Sequence, residues 1–398
     1  MSEPTLAALA AALGAGQVSS RQLVEACLAR IADPAGEGAR AFTWVDAAGA
    51  RAAAEAADRL RAQGAAPSRW AGIPVAVKDL FDVAGQVTRA GSRVLADEAP
   101  AVRDATAVQR LRQAGFVILG RTQMPEFALS ALGPNPHDGT PLAPWHRHEA
   151  RAPGGSSSGA AVSVADGMAH GALGSDTAGS CRIPAAFCGV VGFKPTADTV
   201  PMDGLVPLAP SLDTVGPLAR SVACCASLHA VLAHRPDVPL PGLAVRGLRL
   251  GVPQAMVLDG LDAPVAEAFA RALSRASAGG AHLVERPMAA LAQVPRLVAG
   301  GGLVAAESWA WHRPWIARHR GRYDPRVLER IERGAALSAT DVQGLQAARR
   351  AFIDAVAAEL QGIDALLMPT AAIVPPRLAD LADDAVFGAT MFKALRNA

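Results

Sequence analysis

The chain has 398 residues, 51% apolar and 19% charged, with a formal net charge of +2. That is enough apolar material for a large core, and too little positive charge, with no Lys/Arg block, to suggest a nucleic-acid partner. Five scattered cysteines (Cys27, Cys181, Cys188, Cys224 and Cys225) fit neither a disulfide framework nor a metal-ligand spacing, and read as reduced thiols of a cytoplasmic protein.

The Ala-rich start, Leu6 to Leu13, predicts an exposed or half-buried helix on propensity alone. Glu3 and the lack of a basic stretch before it argue against a signal peptide, and no run of 18 apolar residues predicts a membrane span. Residues 20 to 31 show helical spacing behind Ser19 and Ser20, which suit an N-cap. Residues 46 to 63 read as a second helix, and Ile73 to Val77 as a short, buried, β-branched strand. Asp104 to Gln113 is amphipathic and Phe116 to Leu119 is the strand after it, so helices and strands alternate as in an α/β architecture.

From 132 to 159 the chain is rich in Gly, Pro, Ser and His, and predicts loop. Ala160 to Met168 follows as a helix of small residues, Ala172 to Gly174 as a short strand, and Ile183 to Cys188 as the first turn of a buried helix. The proline-rich stretch Val200 to Leu218 reads as loop, Ser221 to Leu232 as helix, Leu248 to Val252 as strand and Ala263 to Ala276 as amphipathic helix. A helical region from about 303 to 360 ends in Ala365-Leu-Leu-Met-Pro-Thr370, a strand stopping at a proline. A composition shift near 235 to 245 marks a joint between a catalytic half and a more variable half.

Three of the 38 basic residues are lysines: Lys78, Lys194 and Lys393. A surface charge would accept Arg, but a proton acceptor would not, because guanidinium stays protonated while a buried ammonium can lose its proton. Lys78 ends an apolar run, Ile73-Pro-Val-Ala-Val-Lys78, and is therefore a candidate base; a buried ion pair is the competing reading, and Asp79 beside it could oppose the loss of the proton or pair with another group. Ser is a poor nucleophile without such a base. Two Gly/Ser-rich segments, Pro153-Gly-Gly-Ser-Ser-Ser-Gly159 and Gly174-Ser-Asp-Thr-Ala-Gly-Ser180, could supply the hydroxyls. Backbone N–H groups around Gly179-Ser180, ahead of a helix, could converge on an oxyanion, although a tight turn or helix cap would look the same. His137, His146 and His148 share one loop without metal-like spacing and read as solvated or hydrogen-bonded.

The segments Gly154-Gly-Ser-Ser-Ser-Gly159, Gly174-Ser-Asp-Thr-Ala-Gly-Ser-Cys-Arg-Ile-Pro-Ala185 and Phe187-Cys-Gly-Val-Val-Gly-Phe-Lys-Pro-Thr196 resemble the amidase signature family. So do Gly72-Ile-Pro-Val-Ala-Val-Lys-Asp-Leu80, Gly120-Arg-Thr-Gln-Met-Pro-Glu-Phe127 and Ser211-Leu-Asp-Thr-Val-Gly-Pro217, in the expected order. The resemblance implies a single α/β domain over 1–398, a large mixed twisted sheet flanked by helices, with catalytic motifs in 70–220 and a variable helical, substrate-binding part in 240–370. It implies a Ser–cis-Ser–Lys triad: Ser180 as nucleophile, Ser156 as bridging serine behind a cis peptide, Lys78 as base. Backbone N–H groups of Thr177, Ala178, Gly179 and Ser180 would form the oxyanion hole. Asp176, Arg182 and Lys194 would be structural, and Cys181 a packed thiol, not a catalyst.

The implied reaction is hydrolysis of a small-molecule amide to a carboxylate and ammonia or amine through an acyl-enzyme, with no metal, cofactor, membrane or nucleic acid engaged directly. The glutamine-hydrolysing component of a tRNA-dependent amidotransferase shares the signature and is the alternative enzyme; an inactive, truncated scaffold is the alternative of another class. Two departures stand out. Ala178 lies where many members have Gly. The C-terminal end, Met391 to Ala398, comes where members continue with a Gly/Pro-rich core segment, so the expectation is a missing segment and an apolar strand at 363–370 left for a homo-oligomer or a partner chain.

Overall fold

The computed structural model describes residues 4–238, 240 and 242–397; Glu3, and Pro239 and Pro241 of the expected joint, lie outside them. The chain opens with α1 (Leu6–Gly14), whose Leu6, Leu9, Ala10 and Leu13 are buried along one face, so the helix is half-buried. In α2 (Ser20–Ala32) the Ser19 side chain caps the Gln22 amide and Gln22 reaches back to Ser19, a reciprocal cap. Next come α3 (Gly38–Ala41), β1 (Phe42–Val45), α4 (Ala47–Ala62) capped by Asp46, β2 (Pro74–Lys78), α5 (Thr106–Gln113) and β3 (Val117–Thr122). The signature region supplies α6 (Ser158–Ala165), β4 (Gly171–Asp176), α7 (Arg182–Cys188), β5 (Val191–Gly192), β6 (Thr214–Ala219) and α8 (Val222–Leu232).

These strands form one six-stranded sheet in the order β1-β3-β2-β4-β6-β5. β2 runs parallel to β3 and β4, while β1, β6 and β5 pair antiparallel with their neighbours, so the sheet is mixed as expected. Side-chain alternation gives it two apolar faces. Val75, Val77, Leu173 and Val215 pack into one core with α1, α5 and α8. Ala76, Ala172 and Leu218 face a second core with α2, α4 and α6. Helices thus cover both faces.

The remainder adds β7 (Arg249–Pro253), α9 (Ala263–Ala278), β8 (His282–Arg286), α10 (Val294–Leu297), α11 (Gly302–His319), α12 (Pro325–Glu332), α13 (Ala339–Glu359), β9 (Ala365–Leu366) and α14 (Asp384–Leu395). Its strands make a separate, all-parallel sheet, β8-β7-β9. Among the described residues no single helix is long and apolar enough to cross a membrane.

Two expectations need correction. The stretch 200–218 is not loop throughout: Thr214–Ala219 is a fully buried strand along the whole of β4. Pro217 is tolerated because β5 is short; the Pro217 carbonyl accepts from Phe193 N at 3.0 Å, and its missing N–H ends that ladder. Residues 363–370 are not a buried strand: two residues pair with β7, Ala365 is exposed and Leu366 half-buried. The chain then folds back, and Ala371, Ala372, Ile373, Leu381 and Phe387 build a third apolar cluster with Leu132, Ile183 and Phe187.

Candidate active site

β2 is buried at every residue and delivers Lys78 at its C-terminal end, where the side chain is fully enclosed. Lys78 Nζ donates to Ser156 Oγ at 2.7 Å and to Ser175 Oγ at 2.9 Å. Burial lowers the ammonium's pKa from 10.5 to about 8; Cys181, Asp176 and Asp213 act in the opposite sense and do not offset it. Asp79 takes no part. Its carboxylate is paired with the Arg121 guanidinium and accepts from Gly91 N at 3.3 Å.

Ser156 follows a cis peptide bond, Gly155–Ser156, just before α6. Gly154 N and Gly155 N donate to the carbonyls of Leu132 (3.1 Å) and Ala131 (2.7 Å), which fix this turn against the loop 130–133. A side chain at Gly155 would meet the Ser130 carbonyl at 2.4 Å, so only glycine fits that approach. Ser157 N donates to the Ser180 carbonyl at 3.1 Å, tying the two serine segments together.

The 177–181 loop wraps around one carboxylate. Asp176, at the end of β4, accepts from Gly179 N (2.7 Å), Cys181 N (3.0 Å), Arg182 N (3.3 Å), and Arg182 Nε and Nη2 (3.0 and 2.9 Å). Burial pushes this carboxyl's pKa up, but Arg182 and the amides outweigh it and leave it below its usual range. Asp213 holds the outer side, accepting from Thr177 Oγ1 at 2.5 Å and from Leu208 N and Ala209 N at 3.0 and 3.1 Å. Gly179 sits at φ 105°, where a side chain would be strained, and Ser180 is 7% exposed. Ala178 is exposed and has no left-handed backbone, so a methyl group replaces hydrogen there without strain.

The structure therefore gathers Lys78, Ser156 and the Ser180 segment, as the sequence suggests. Of the four amides expected to face an oxyanion, that of Gly179 is already committed to Asp176. Ser175 was missed; its signal is a hydroxyl inside a strand between Gly174 and Asp176, two residues beyond Leu173, which pairs with Val77 next to the buried lysine. Cys181 is enclosed, and burial raises its thiol pKa far above the ordinary value. Lys194 is half-buried and donates to the Pro195 carbonyl at 2.8 Å. His137 bonds Glu126 at 2.9 Å. His146 and His148 are exposed and approach Glu149, whose carboxylate is held by Arg151 at 2.5 Å and Arg377 at 3.1 Å.

Known proteins share this arrangement of segments. The amidase family model matches residues 22–395. The chain is 39% identical to a 2-amino-5-chloromuconic acid deaminase of Comamonas testosteroni, over 89% of this chain and 77% of that one. It is 46% identical to a component of the glutamyl-tRNA(Gln) amidotransferase of Anaeromyxobacter sp. (strain K) over 69% of this chain, and spans 58% of that component's length. A solved crystal structure of an amidase superposes with a TM-score of 0.87 at 33% identity, covering 99% of this chain and 90% of that one.

Proposed function

This chain belongs to the amidase family, and on that premise we propose that it hydrolyses a carboxamide to a carboxylate and ammonia or an amine through an acyl-enzyme on Ser180. The observation that carries the reading is the enclosed Lys78 within 2.7 Å of the Ser156 hydroxyl, its pKa brought near the neutral range by burial. Neutral Lys78 takes a proton from Ser156, which takes one from Ser180 as Ser180 Oγ attacks the amide carbonyl. Amides of Thr177, Ala178 and Ser180 stabilise the oxyanion, and Ser156 returns a proton to the leaving nitrogen. Water then attacks the acyl-enzyme by the same relay. Ser175 holds Lys78 Nζ in line as a second acceptor, 2.9 Å away.

The test is twofold. A fluorophosphonate probe should label Ser180, and a panel of aliphatic, aryl and amino-acid amides should release ammonia. Ser180→Ala should abolish both, and turnover retained in that variant overturns the assignment. Ser156→Ala should lose most turnover yet keep slow labelling. A second reading, the glutamine-hydrolysing component of an amidotransferase, draws on the 46% identity over 69% of the chain. It requires partner chains, and affinity purification from cells that yields the chain alone would count against it.

A further inference from the structure

Two side chains where β6 begins reach the peptide that opens the Ser180 loop. Thr214 Oγ1 donates to the Asp176 carbonyl at 2.7 Å, and Asp213 Oδ1 accepts from Thr177 Oγ1 at 2.5 Å. A peptide is planar, so the first bond fixes the direction of the Thr177 N–H along with that of the Asp176 carbonyl. The second bond holds Thr177 by its side chain. The Thr177 N–H is one of the donors assigned to the oxyanion, so the turn that carries Asp213 and Thr214 bears on the chemistry.

That turn closes on its own bonds. Leu208 N and Ala209 N donate to Asp213 Oδ2 at 3.0 and 3.1 Å, and Leu212 N and Asp213 N both donate to the Ala209 carbonyl at 2.8 Å. Its tip, Ser211, is exposed, yet it is gripped from the second half of the chain. Ser211 N donates to Glu307 Oε2 at 2.9 Å and Ser211 Oγ to Glu307 Oε1 at 2.5 Å, so both oxygens of one carboxylate hold one residue. Glu307 lies on α11, which is itself firmly seated. Ser308 and His312 are fully buried, Ile316 packs into the core of Val75 and Leu173, and His312 Nδ1 lies 2.9 Å from the Tyr323 hydroxyl. The turn does not need Glu307 in order to form. What Glu307 adds is a fixed position for the turn relative to α11.

We propose that Glu307 is a positioning residue for the oxyanion hole: it holds Ser211, and through the turn it keeps Asp213 and Thr214 against the Asp176–Thr177 peptide. The proposal rests on the amide-hydrolase reading and adds a residue of the second half to machinery drawn from the first. Glu307 acts through Ser211 and is not itself a catalytic residue. Outright loss of an oxyanion donor costs about a hundred- to a thousandfold in kcat, and a misplacement of about 1 Å can cost about a hundredfold. A turn that is loosened but still closed falls below both limits.

The experiment compares the wild type with Glu307→Ala, Glu307→Gln, Ser211→Ala and the Glu307→Ala/Ser211→Ala pair on the amide of the panel that the wild type turns over best. Turnover is counted per Ser180 titrated by the fluorophosphonate, which removes misfolded molecules from the comparison. Glu307→Ala should lower kcat about tenfold and leave KM within about twofold, because the donor matters once the oxyanion forms. Glu307→Gln offers an acceptor to Ser211 N and a donor to Ser211 Oγ, and should recover most of that loss. The paired variant should lose little beyond Glu307→Ala, since both changes break one link. A kcat within about twofold of the wild type in Glu307→Ala, no recovery in Glu307→Gln, or losses that multiply in the paired variant overturn the proposal. Amide hydrogen exchange reads the same link without turnover. Peptides covering 176–178 and 208–214 should exchange faster in Glu307→Ala, and unchanged exchange overturns the proposal. If no amide releases ammonia and Ser180 resists the fluorophosphonate, the hydrolase reading fails, while the exchange measurement still decides whether Glu307 holds the turn and the peptide behind it.

Discussion

Replacing Lys78 by Met should abolish turnover and, at neutral pH, make the protein more stable. Lys78 is fully enclosed, and burial brings its pKa from 10.5 to about 8. Holding an ammonium at that value costs the folded state about 3 kcal/mol at pH 7. Met removes that cost but also two hydrogen bonds, to Ser156 and Ser175, worth about 1 kcal/mol each. A net gain of about 1 kcal/mol remains. The sign follows from linkage: between about 8 and 10.5 the unfolded chain binds more protons at this site than the folded one, so wild-type stability climbs with pH. The cost is complete below 8 and gone above 10.5. Urea denaturation of both proteins at pH 7 and near pH 10.5 should therefore show the Met variant's advantage turning into a deficit. A difference that stays flat across this range would mean that Lys78 keeps its ordinary hold on its proton, and the base assignment would lose its physical ground. The same shift makes activity possible near neutrality. At 10.5 roughly one lysine in 3,000 is neutral at pH 7, and at about 8 roughly one in 11. The kcat/KM should rise with pH and level off above about 8.

Lys78→Arg keeps the charge but cannot accept a proton; it should fold and lose about a thousandfold or more in kcat, and substantial turnover would assign Lys78 a purely electrostatic role. Asp176→Asn gives up an acceptor for three loop amides and the Arg182 fork, and should cost about 3 kcal/mol in a urea titration with kcat falling in parallel; an unchanged midpoint would show that the loop holds itself. All five cysteines are buried, and burial raises the thiols of Cys181, Cys188 and Cys225. Iodoacetamide at pH 8 should leave the native protein unalkylated and active, and rapid inactivation would reopen a role for Cys181.

Local chemistry was the most legible part. The apolar run before Lys78 announced burial, and the glycines around Ser156 and Ser180 announced close backbone approaches, because both depend on neighbours along the chain. β6 was hidden by proline: composition marks Pro217 as a strand breaker, but its missing N–H matters only where β5 would need it, and β5 is two residues long. β1 was hidden by brevity, four residues with Trp44 exposed at a sheet edge. The anchoring of Arg330 could not be read at all. Arg330 looks like any charge on a polar helix until Leu129, some 200 positions earlier, is seen to accept its N–H, and until each neighbouring charge is found to be paired.

The scarcity of lysine has a practical side. Lys78 is sealed inside and Lys194 is half-buried, while Lys393 stands exposed on α14. An amine-reactive dye or a derivatised surface would favour this side chain among the lysines. Lys393 is six residues beyond Phe387, roughly 9 Å along the helix axis. The same helix buries Phe387 against Leu132, Ile183 and Phe187, so a fluorophore attached there would sit on the element that packs beside the serine segments. With the more acidic α-amine blocked first, native amine chemistry thus offers an attachment point on a sensor chip and an optical reporter of how α14 is packed.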